Sequence, residues 1–276
     1  MEGKNIKREQ HGNSYKQAFI ETHIQELLEN YKSEGSLEEV KKELEAARYE
    51  VFSLVITQLT NNFNIEYVFK LLPNLMNLTL TYGAKHIGME YERPLFGMKM
   101  SDAANFKNCL RTTTSLCYLS LPGNLIDDDL VSILIKGLML NKTITQIDLS
   151  HNKIGHSGAR KISKYLLQSQ ILTHLNLADN MIDYEGSRYL CQALKVNSSL
   201  ISLNLKLNRL DDKAGSKMCI DLHSKQSKLK KLNLAANLLS NMFCESLSKY
   251  ITDNKNIESI DISCNKIEES DAGTLK

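Results

Sequence analysis

The side chains with the widest chemical range in this sequence are its cysteines and histidines. Its six cysteines are Cys109, Cys117, Cys191, Cys219, Cys244 and Cys264. No two of them form a C-x-x-C pair, and none of the four histidines after residue 150 lies four residues from a carboxylate. A G-x-x-x-x-G-K-[ST] phosphate-binding loop is likewise missing. We therefore expect buried thiols, no metal or other cofactor, and no small-molecule substrate.

Polar side chains alternate with leucine or isoleucine at sites that recur along the chain, as His174 and Asn176 do around Leu175. Such alternation is typical of a strand that buries one face, so the polar members should face solvent. From this set we expect four side chains to contact a partner protein: Tyr118, His174, Lys206 and Lys231. The other polar sites either extend this surface or, as we prefer, form a ladder that belongs to the scaffold: Asp148, Asn176, Asn204, Asn233 and Asp261.

A second group of candidate contact residues lies in segment 81–100, which combines aromatic and methionine side chains with three glycines. Such side chains on a loop often anchor protein interfaces. We expect four of them to contact a partner: Tyr82, Tyr91, Phe96 and Met98. The alternative is that this loop folds back over the first repeat.

The elements that would position these residues follow from one motif, L-x-x-L-x-L-x-x-N-x-L/I, which occurs six times. Its asparagines are Asn124, Asn152, Asn180, Asn208, Asn237 and Asn265. They are 28, 28, 28, 29 and 28 residues apart. A seventh, degenerate copy begins at Leu75, 41 residues before the copy at Leu116, so an insertion of 13 residues (41 − 28) separates the two. A fixed period of this length indicates a solenoid.

Each repeat predicts a strand, a turn at the asparagine and a helix of about three turns. Parallel strands stack roughly 4.8 Å apart, whereas helices need about 8–10 Å, so the stack must curve with its strands inside. The sequence therefore predicts an α/β leucine-rich-repeat solenoid, a horseshoe of about seven 28-residue β-α repeats with a parallel concave sheet and outer helices. The nine residues after Ile267 are too few for a last helix, so we expect an open edge there.

The segment before the repeats carries apolar residues at helical spacing in 14–31 and again from Leu37 to Leu54. We expect a disordered N-terminus at 1–13, a helical hairpin over 14–63 that caps the first repeat, and a repeat domain over 64–276 with its inserted loop at 81–100. An oligomerising coiled coil is the alternative to the helical hairpin over 14–63.

Charge and hydropathy exclude other classes of partner. The net charge is only +2, far from the basic bias of a nucleic-acid-binding protein. No apolar run reaches membrane-spanning length, and the polar start does not resemble a signal peptide. We therefore expect a cytoplasmic protein with free thiols that binds neither nucleic acid nor membrane.

Two segments resemble the dynein regulatory complex subunit 5 family: LISLNLKLNRLDD at 200–212 and MNLTLTYGAKHIGMEYERPLFGMKMSDAANFKNCL at 76–110. The second is the more specific, because it includes the inserted loop. The resemblance implies a non-catalytic subunit of the nexin–dynein regulatory complex, which links doublet microtubules in motile cilia and flagella. It places the chain in the cytoskeleton of the axoneme, where its partners would be other subunits of that complex and neighbouring dynein or microtubule-associated proteins.

Three other functions stay open. The chain could be an axonemal adaptor outside that complex. It is also similar to leucine-rich-repeat proteins that activate small GTPases, with Arg209 as the arginine best placed to act at the γ-phosphate. Resemblance to ribonuclease inhibitor, the weakest of the three, covers the type of repeat but not its tryptophan and cysteine content.

Overall fold

The computed structural model describes residues 2–31, 34–83, 96–222, 227–251, 254 and 256–268. Its strands are β1 (Ser53–Leu59), β2 (Asn77–Tyr82), β3 (Tyr118–Ser120), β4 (Gln146–Asp148), β5 (His174–Asn176), β6 (Ser202–Asn204), β7 (Lys231–Asn233) and β8 (Ser259–Asp261). Its helices are α1 (Glu2–Glu29), α2 (Leu37–Ala46), α3 (Glu66–Leu71), α4 (Met100–Thr112), α5 (Asp128–Leu138), α6 (His156–Gln168), α7 (Tyr184–Leu194), α8 (Asp212–Leu222) and α9 (Asn241–Ile251), with a 3-10 turn at Glu34–Ser36.

The eight strands of the described chain form one parallel sheet in sequence order, from β1 to β8. A helix follows each of the first seven strands, and successive helices from α4 to α9 pack side by side. The interior is filled by the repeated leucines and isoleucines, such as Leu175 and Leu177 of one coil and Leu203 and Leu205 of the next. This arrangement confirms the predicted α/β solenoid of about seven strand–helix repeats.

The helical hairpin predicted over 14–63 is wrong in its second half. The second helix ends at Ala46, and the segment expected to continue it is β1. Leu54 and Ile56 point into the core, whereas Val55 and Thr57 are exposed, which is the alternation of a strand. β-branched residues are concentrated here and favour a strand next to β2. The first repeat therefore starts before residue 64, and α1, the 3-10 turn and α2 precede the sheet in the described residues.

The start of the chain also differs from the expectation of disorder over 1–13, because α1 begins at Glu2. That segment is rich in lysine, arginine, glutamate and glutamine, which have high intrinsic helix propensity even where no apolar face is present.

Helix α1 covers the first edge of the sheet. The Glu21 carboxylate accepts hydrogen bonds from the backbone N–H groups of Phe52 and Ser53, each at 2.8 Å. The Glu29 carboxylate accepts from the Thr57 backbone N–H at 2.7 Å and from its hydroxyl at 2.8 Å. An edge strand otherwise presents unpaired donors and acceptors to solvent or to another chain. Two glutamates thus replace part of the missing neighbouring strand.

The asparagine of each motif ties its coil to the coil before it. For Asn180, the side-chain N–H donates to the Leu149 carbonyl of the preceding coil at 3.0 Å and to the carbonyls of Leu177 and Ala178 of its own coil. Its oxygen accepts from the Ile154 backbone N–H at 3.0 Å. An amide is both donor and acceptor, which explains why asparagine occupies this buried site.

The residue before each of these asparagines adopts a left-handed backbone conformation. Six residues share it: Gly123, His151, Asp179, Leu207, Ala236 and Cys264, with φ between 51° and 64°. Five of the six have a side chain, for which this conformation costs roughly 1–2 kcal/mol. The hydrogen bonds of the asparagine turn offset that cost.

Candidate protein-binding face

The concave side of the sheet carries two rows of side chains that point away from the hydrophobic core. We call these two rows the concave face. Strand register places the first row in the order Asn77, Tyr118, Gln146, His174, Ser202, Lys231 and Ser259. The second row is Thr79, Ser120, Asp148, Asn176, Asn204, Asn233 and Asp261. Because neighbouring strands lie about 4.8 Å apart, side chains of one row are close enough to act together on one ligand.

Five side chains of the second row accept a hydrogen bond from the backbone N–H two residues further along the chain. The side-chain oxygen of Asp148 accepts from the Ser150 backbone N–H at 2.8 Å, and that of Asn176 accepts from the Ala178 N–H at 3.1 Å. The same i to i+2 bond recurs at Asn204, Asn233 and Asp261. The preferred interpretation of these five residues as a scaffold ladder agrees with these bonds.

The predicted contact residues on the strands do lie on the concave face, apart from Lys206, which is two residues beyond Asn204 at its rim. His174, Lys206 and Lys231 are exposed and Tyr118 is half-buried. The His174 ring nitrogen Nδ1 lies 2.9 Å from the Thr173 hydroxyl, which holds the imidazole at the surface. The structure therefore brings these side chains onto one surface.

Positive charge is concentrated toward the C-terminal coils of this face. Neither Lys206 nor Lys231 has a carboxylate within 4.0 Å in the described chain, whereas their neighbour Lys230 pairs with Glu258 at 2.6 Å. The Asp261 carboxyl has a pKa below its ordinary value, chiefly because the Ser263 backbone N–H donates to it, with a smaller contribution from the charge of Lys206. The two lysines are thus available to a partner carboxylate.

The four partner-contacting residues that were predicted in the inserted segment do not share one environment. Tyr82, at the end of β2, and Met98 are only 1% and 4% exposed. The expectation that they contact a partner is therefore wrong, because the strand directs Tyr82 inward and Met98 packs in the same core. Phe96 is half-buried, and Tyr91 lies outside the described residues. The alternative, in which the loop folds back, agrees with the flanks of this segment.

The interior near Tyr82 contains an unusual buried carboxyl. Asp102 accepts hydrogen bonds from the Lys99 backbone N–H at 2.8 Å and from the Asn61 side-chain amide at 2.6 Å. Burial nevertheless raises the pKa of Asp102 above its ordinary value, and it raises the pKa of the Tyr82 phenol well above its own. Both groups are buried in the first coils, so they contribute to packing there and not to the protein surface.

The cysteines and histidines form no reactive site in the described chain. Cys109, Cys191, Cys219 and Cys244 are buried, and burial raises the pKa of the Cys109 and Cys219 thiols to about 12. No group of three histidine, cysteine or acidic residues lies close enough to hold a metal ion, as far as the described residues extend.

One pair of titratable residues escaped the sequence reading. The His151 ring and the Asp179 carboxylate meet at 2.7 Å between adjacent coils. The signal was present, since the two residues occupy the same site of successive repeats, 28 positions apart. The pair joins neighbouring turns on the surface and no thiol accompanies it.

The sequence reading also missed a second asparagine ladder, at the start of the strand segments. The Asn141 side-chain N–H donates to the Leu110 carbonyl at 2.9 Å, and its oxygen accepts from the Ile144 backbone N–H at 2.7 Å. Asn197 repeats this pattern, donating to the Leu166 carbonyl at 2.7 Å. The two asparagines are 56 residues apart, two repeat lengths, and serine at position 169 between them obscured the period.

Arg209 is exposed in the turn after Asn208, where its backbone N–H donates to the Ile182 carbonyl at 2.9 Å. Its side chain makes no ion pair with the described residues. The idea that Arg209 activates a GTPase stays a prediction. Membrane crossing receives no support from the helices: among the described residues, none combines the length and apolar character that spanning a bilayer requires.

Comparison with known proteins gives the class first. A family model described as "Leucine Rich repeat" matches residues 140–163, 168–191 and 196–219, which include β4 to β6 and most of α6 to α8. With the parallel sheet and the asparagine ladder, this match shows that the chain contains leucine-rich repeats.

Two relatives give a more specific comparison. The chain is 37% identical over 130 residues to dynein regulatory complex subunit 5 of Chlamydomonas reinhardtii, a match that covers 46% of this chain and 33% of that protein. It is 36% identical over 93 residues to the subunit of the same name in Mus musculus, covering 34% of this chain and 19% of the relative. Over the matched region the chain is similar to dynein regulatory complex subunit 5 proteins, which confirms the predicted resemblance. The match spans a third or less of the length of these relatives.

Two solved structures are similar in part. One is titled "Leiomodin-1 Actin-Binding Site 2 (ABS2)", with a TM-score of 0.46 at 16% identity over 57% of this chain and 91% of that chain. The other is the tropomodulin C-terminal domain of Caenorhabditis elegans, with a TM-score of 0.47 at 20% identity over 55% of this chain and 93% of that chain. Likenesses of this size say nothing about function.

Proposed function

We propose that this chain is a non-catalytic scaffold subunit of the dynein regulatory complex, located in the axoneme of cilia or flagella, whose concave face binds another protein of that complex. The names of its relatives support the complex and the location. One structural observation supports the surface. Exposed polar and cationic side chains from successive coils, above all His174, Lys206 and Lys231, lie along one curved face.

The physical basis is a large, preorganised surface. The concave side chains of β2 to β7 project from strands that are paired on both sides, so little conformational freedom is lost when a partner binds. Lysines without an internal carboxylate can pair with acidic side chains of the partner and steer its approach. A half-buried tyrosine such as Tyr118 supplies apolar contact area next to them.

The location is tested by expressing the tagged chain in ciliated cells and removing membrane and soluble matrix with detergent. We expect the chain to sediment with the axonemes. Complete recovery in the soluble fraction would contradict the proposal.

The surface is tested by reversing two charges, with the double variant Lys206→Glu and Lys231→Glu. We expect the fraction retained on axonemes to fall, because binding weakens by about tenfold, or about 1.4 kcal/mol. The matched control is Lys42→Glu, a charge reversal at an exposed lysine on α2, which should keep full retention. Equal retention of all variants would refute the assignment to the concave face.

A further inference from the structure

One flank of the solenoid, away from the concave face, exposes apolar side chains where α5, α6 and α7 end. These are Met139, Leu140, Leu167 and Val196, which are 38%, 59%, 53% and 49% exposed. Met139 and Leu167 are 28 residues apart and so occupy the same site of adjacent coils. We call this set the flank ridge.

Cations surround the flank ridge. Lys136 and Lys164 also occupy equivalent sites of adjacent coils, one helical turn before the apolar residues, and Lys142 follows the end of α5. Lys161 lies one turn earlier on α6. All four are exposed, and no carboxylate of the described chain lies within 4.0 Å of their amines.

The carboxylates of helices α5 and α7 lie at the opposite ends of these helices, at their starts. Asp127 caps α5, accepting from the Leu130 backbone N–H at 3.0 Å, and Asp183 caps α7 in the same way. Asp128 accepts from the Gly155 backbone N–H at 2.7 Å, and Glu185 pairs with Arg188 at 2.8 Å. The helix starts take up negative charge as caps, which leaves the flank ridge bordered by positive charge alone.

A groove of about 250 Å³ opens beside the flank ridge, between the ends of α5 and α6. Met139, Lys142, Tyr165 and Ile171 line it. Apolar walls with a cation at the border match a partner side chain that is apolar and flanked by acidic residues.

We propose that the flank ridge binds an acidic amphipathic helix of a partner protein. Neighbouring solenoid helices lie about 8–10 Å apart, and residues seven positions apart on a helix are separated by roughly 10.5 Å. A helix that crosses α5 and α6 could therefore set one carboxylate on Lys136 and the next on Lys164, with its apolar stripe over Met139 and Leu167. This site does not depend on the concave face.

The test uses a fluorescein-labelled helical peptide of about 20 residues, with leucine along one stripe and glutamate on both sides of it. A matched peptide carries lysine in place of every glutamate. Fluorescence anisotropy should show that the full chain binds the acidic peptide and not the basic one. The double variant Lys136→Glu and Lys164→Glu should weaken binding at least about tenfold, and Leu167→Ser should weaken it as well.

Two exposed lysines elsewhere provide the control. The double variant Lys42→Glu and Lys228→Glu makes the same change in net charge and should leave the affinity within about twofold of the unsubstituted chain. Equal binding of both peptides, or equal weakening by both double variants, would overturn the proposal, since either result means general charge attraction or apolar adhesion.

Discussion

At the scale of single residues, the asparagine turns combine hydrogen bonds that stabilise the solenoid with a backbone conformation that strains it. Asn180 donates to three carbonyls, each of which also accepts a second hydrogen bond, and it is the acceptor for the buried Ile154 backbone N–H. Such groups cost about 1–3 kcal/mol each when they are left unpaired. The residue before it, Asp179, has φ of 51°, which favours glycine.

We expect Asn180→Ala to lower the free energy of unfolding by about 1–3 kcal/mol, because the buried Ile154 N–H loses its acceptor and three carbonyls each lose one of two donors. Urea denaturation followed by circular dichroism measures this change. Asn62→Ala, the same substitution at an exposed site in the turn after β1, should change stability by less than about 0.5 kcal/mol. A small effect at position 180 would mean that the ladder contributes little.

Ala236→Gly should have the opposite effect and raise the free energy of unfolding by up to about 1 kcal/mol, because glycine adopts the observed φ of 53° without steric cost. The control is Ala18→Gly in the exposed interior of α1, where the same substitution should destabilise by about 1 kcal/mol. Destabilisation at both sites would show that the left-handed turn stores no strain.

Thiol reactivity should separate the buried cysteines from the exposed one. At pH 8, Cys264 should react rapidly with a colorimetric disulfide reagent, whereas Cys109 and Cys219 should not, since burial shields them and raises their thiol pKa to about 12. All six thiols should react in denaturant. Rapid reaction of the buried thiols without denaturant would contradict the described core.

The Asp102 carboxyl predicts an inverted pH dependence. Its pKa is raised in the folded chain, so the folded state binds the proton more tightly than the unfolded state. Stability relative to an Asp102→Asn variant should therefore rise as pH falls from neutral through this raised pKa. Unfolding of both proteins in urea at several pH values measures the difference, and a constant difference would refute the raised pKa.

At the scale of elements, α1 and β1 form the closed end of the sheet, and Glu21 and Glu29 make the contact. We expect Glu21→Ala to lower the free energy of unfolding by about 1–3 kcal/mol, because the N–H groups of Phe52 and Ser53 lose their acceptor. The variant should therefore unfold at a lower denaturant concentration. Light scattering should also detect association through the uncovered edge. Glu26→Ala, at an exposed site of the same helix, is the matched control.

Sequence periodicity was sufficient to predict the elements of the repeats but not those before them. The motif placed the strands from β2 to β8 because leucine spacing in a strand and asparagine in a turn each have a local physical cause. In VFSLVITQL, Leu59 occupies the site of the motif asparagine, and the segment is apolar at both helical and strand spacing. Only its pairing with β2 therefore decides that it is β1. Long-range pairing of this kind is not present in local sequence.

Alternation along the strands was likewise sufficient to place His174 and Lys231 on the surface. The same alternation continues through Leu78, Leu80 and Tyr82 and places Tyr82 inside, but residue 82 was assigned to the inserted loop.

Alternation could not place Met98, because its position depends on how the flanks of the insertion pack against the neighbouring coils. There the Gly97 backbone N–H donates to the Tyr82 carbonyl at 3.0 Å, and the Met98 N–H donates to the Asn124 carbonyl at 2.8 Å. Composition of a loop indicates contact but not which surface is contacted.

At the scale of the whole molecule, the solenoid exposes two surfaces with different chemistry. The concave face presents polar side chains and Lys231, with Lys206 at its rim, whereas the flank ridge presents apolar side chains bordered by Lys136 and Lys164. A scaffold that joins two partners needs two such separate sites, and a rigid curved stack keeps their spacing fixed. The same geometry offers no enclosed reactive centre among the described residues.

The most direct test of the proposed scaffold is site-specific photocrosslinking from position 174 in detergent-extracted axonemes, followed by mass spectrometry of the products. The account predicts crosslinks from the concave face to subunits of the dynein regulatory complex, and their loss in the double variant Lys206→Glu and Lys231→Glu. Crosslinks only to soluble proteins, or no crosslinks at all from a chain that is retained on the axoneme, would contradict it.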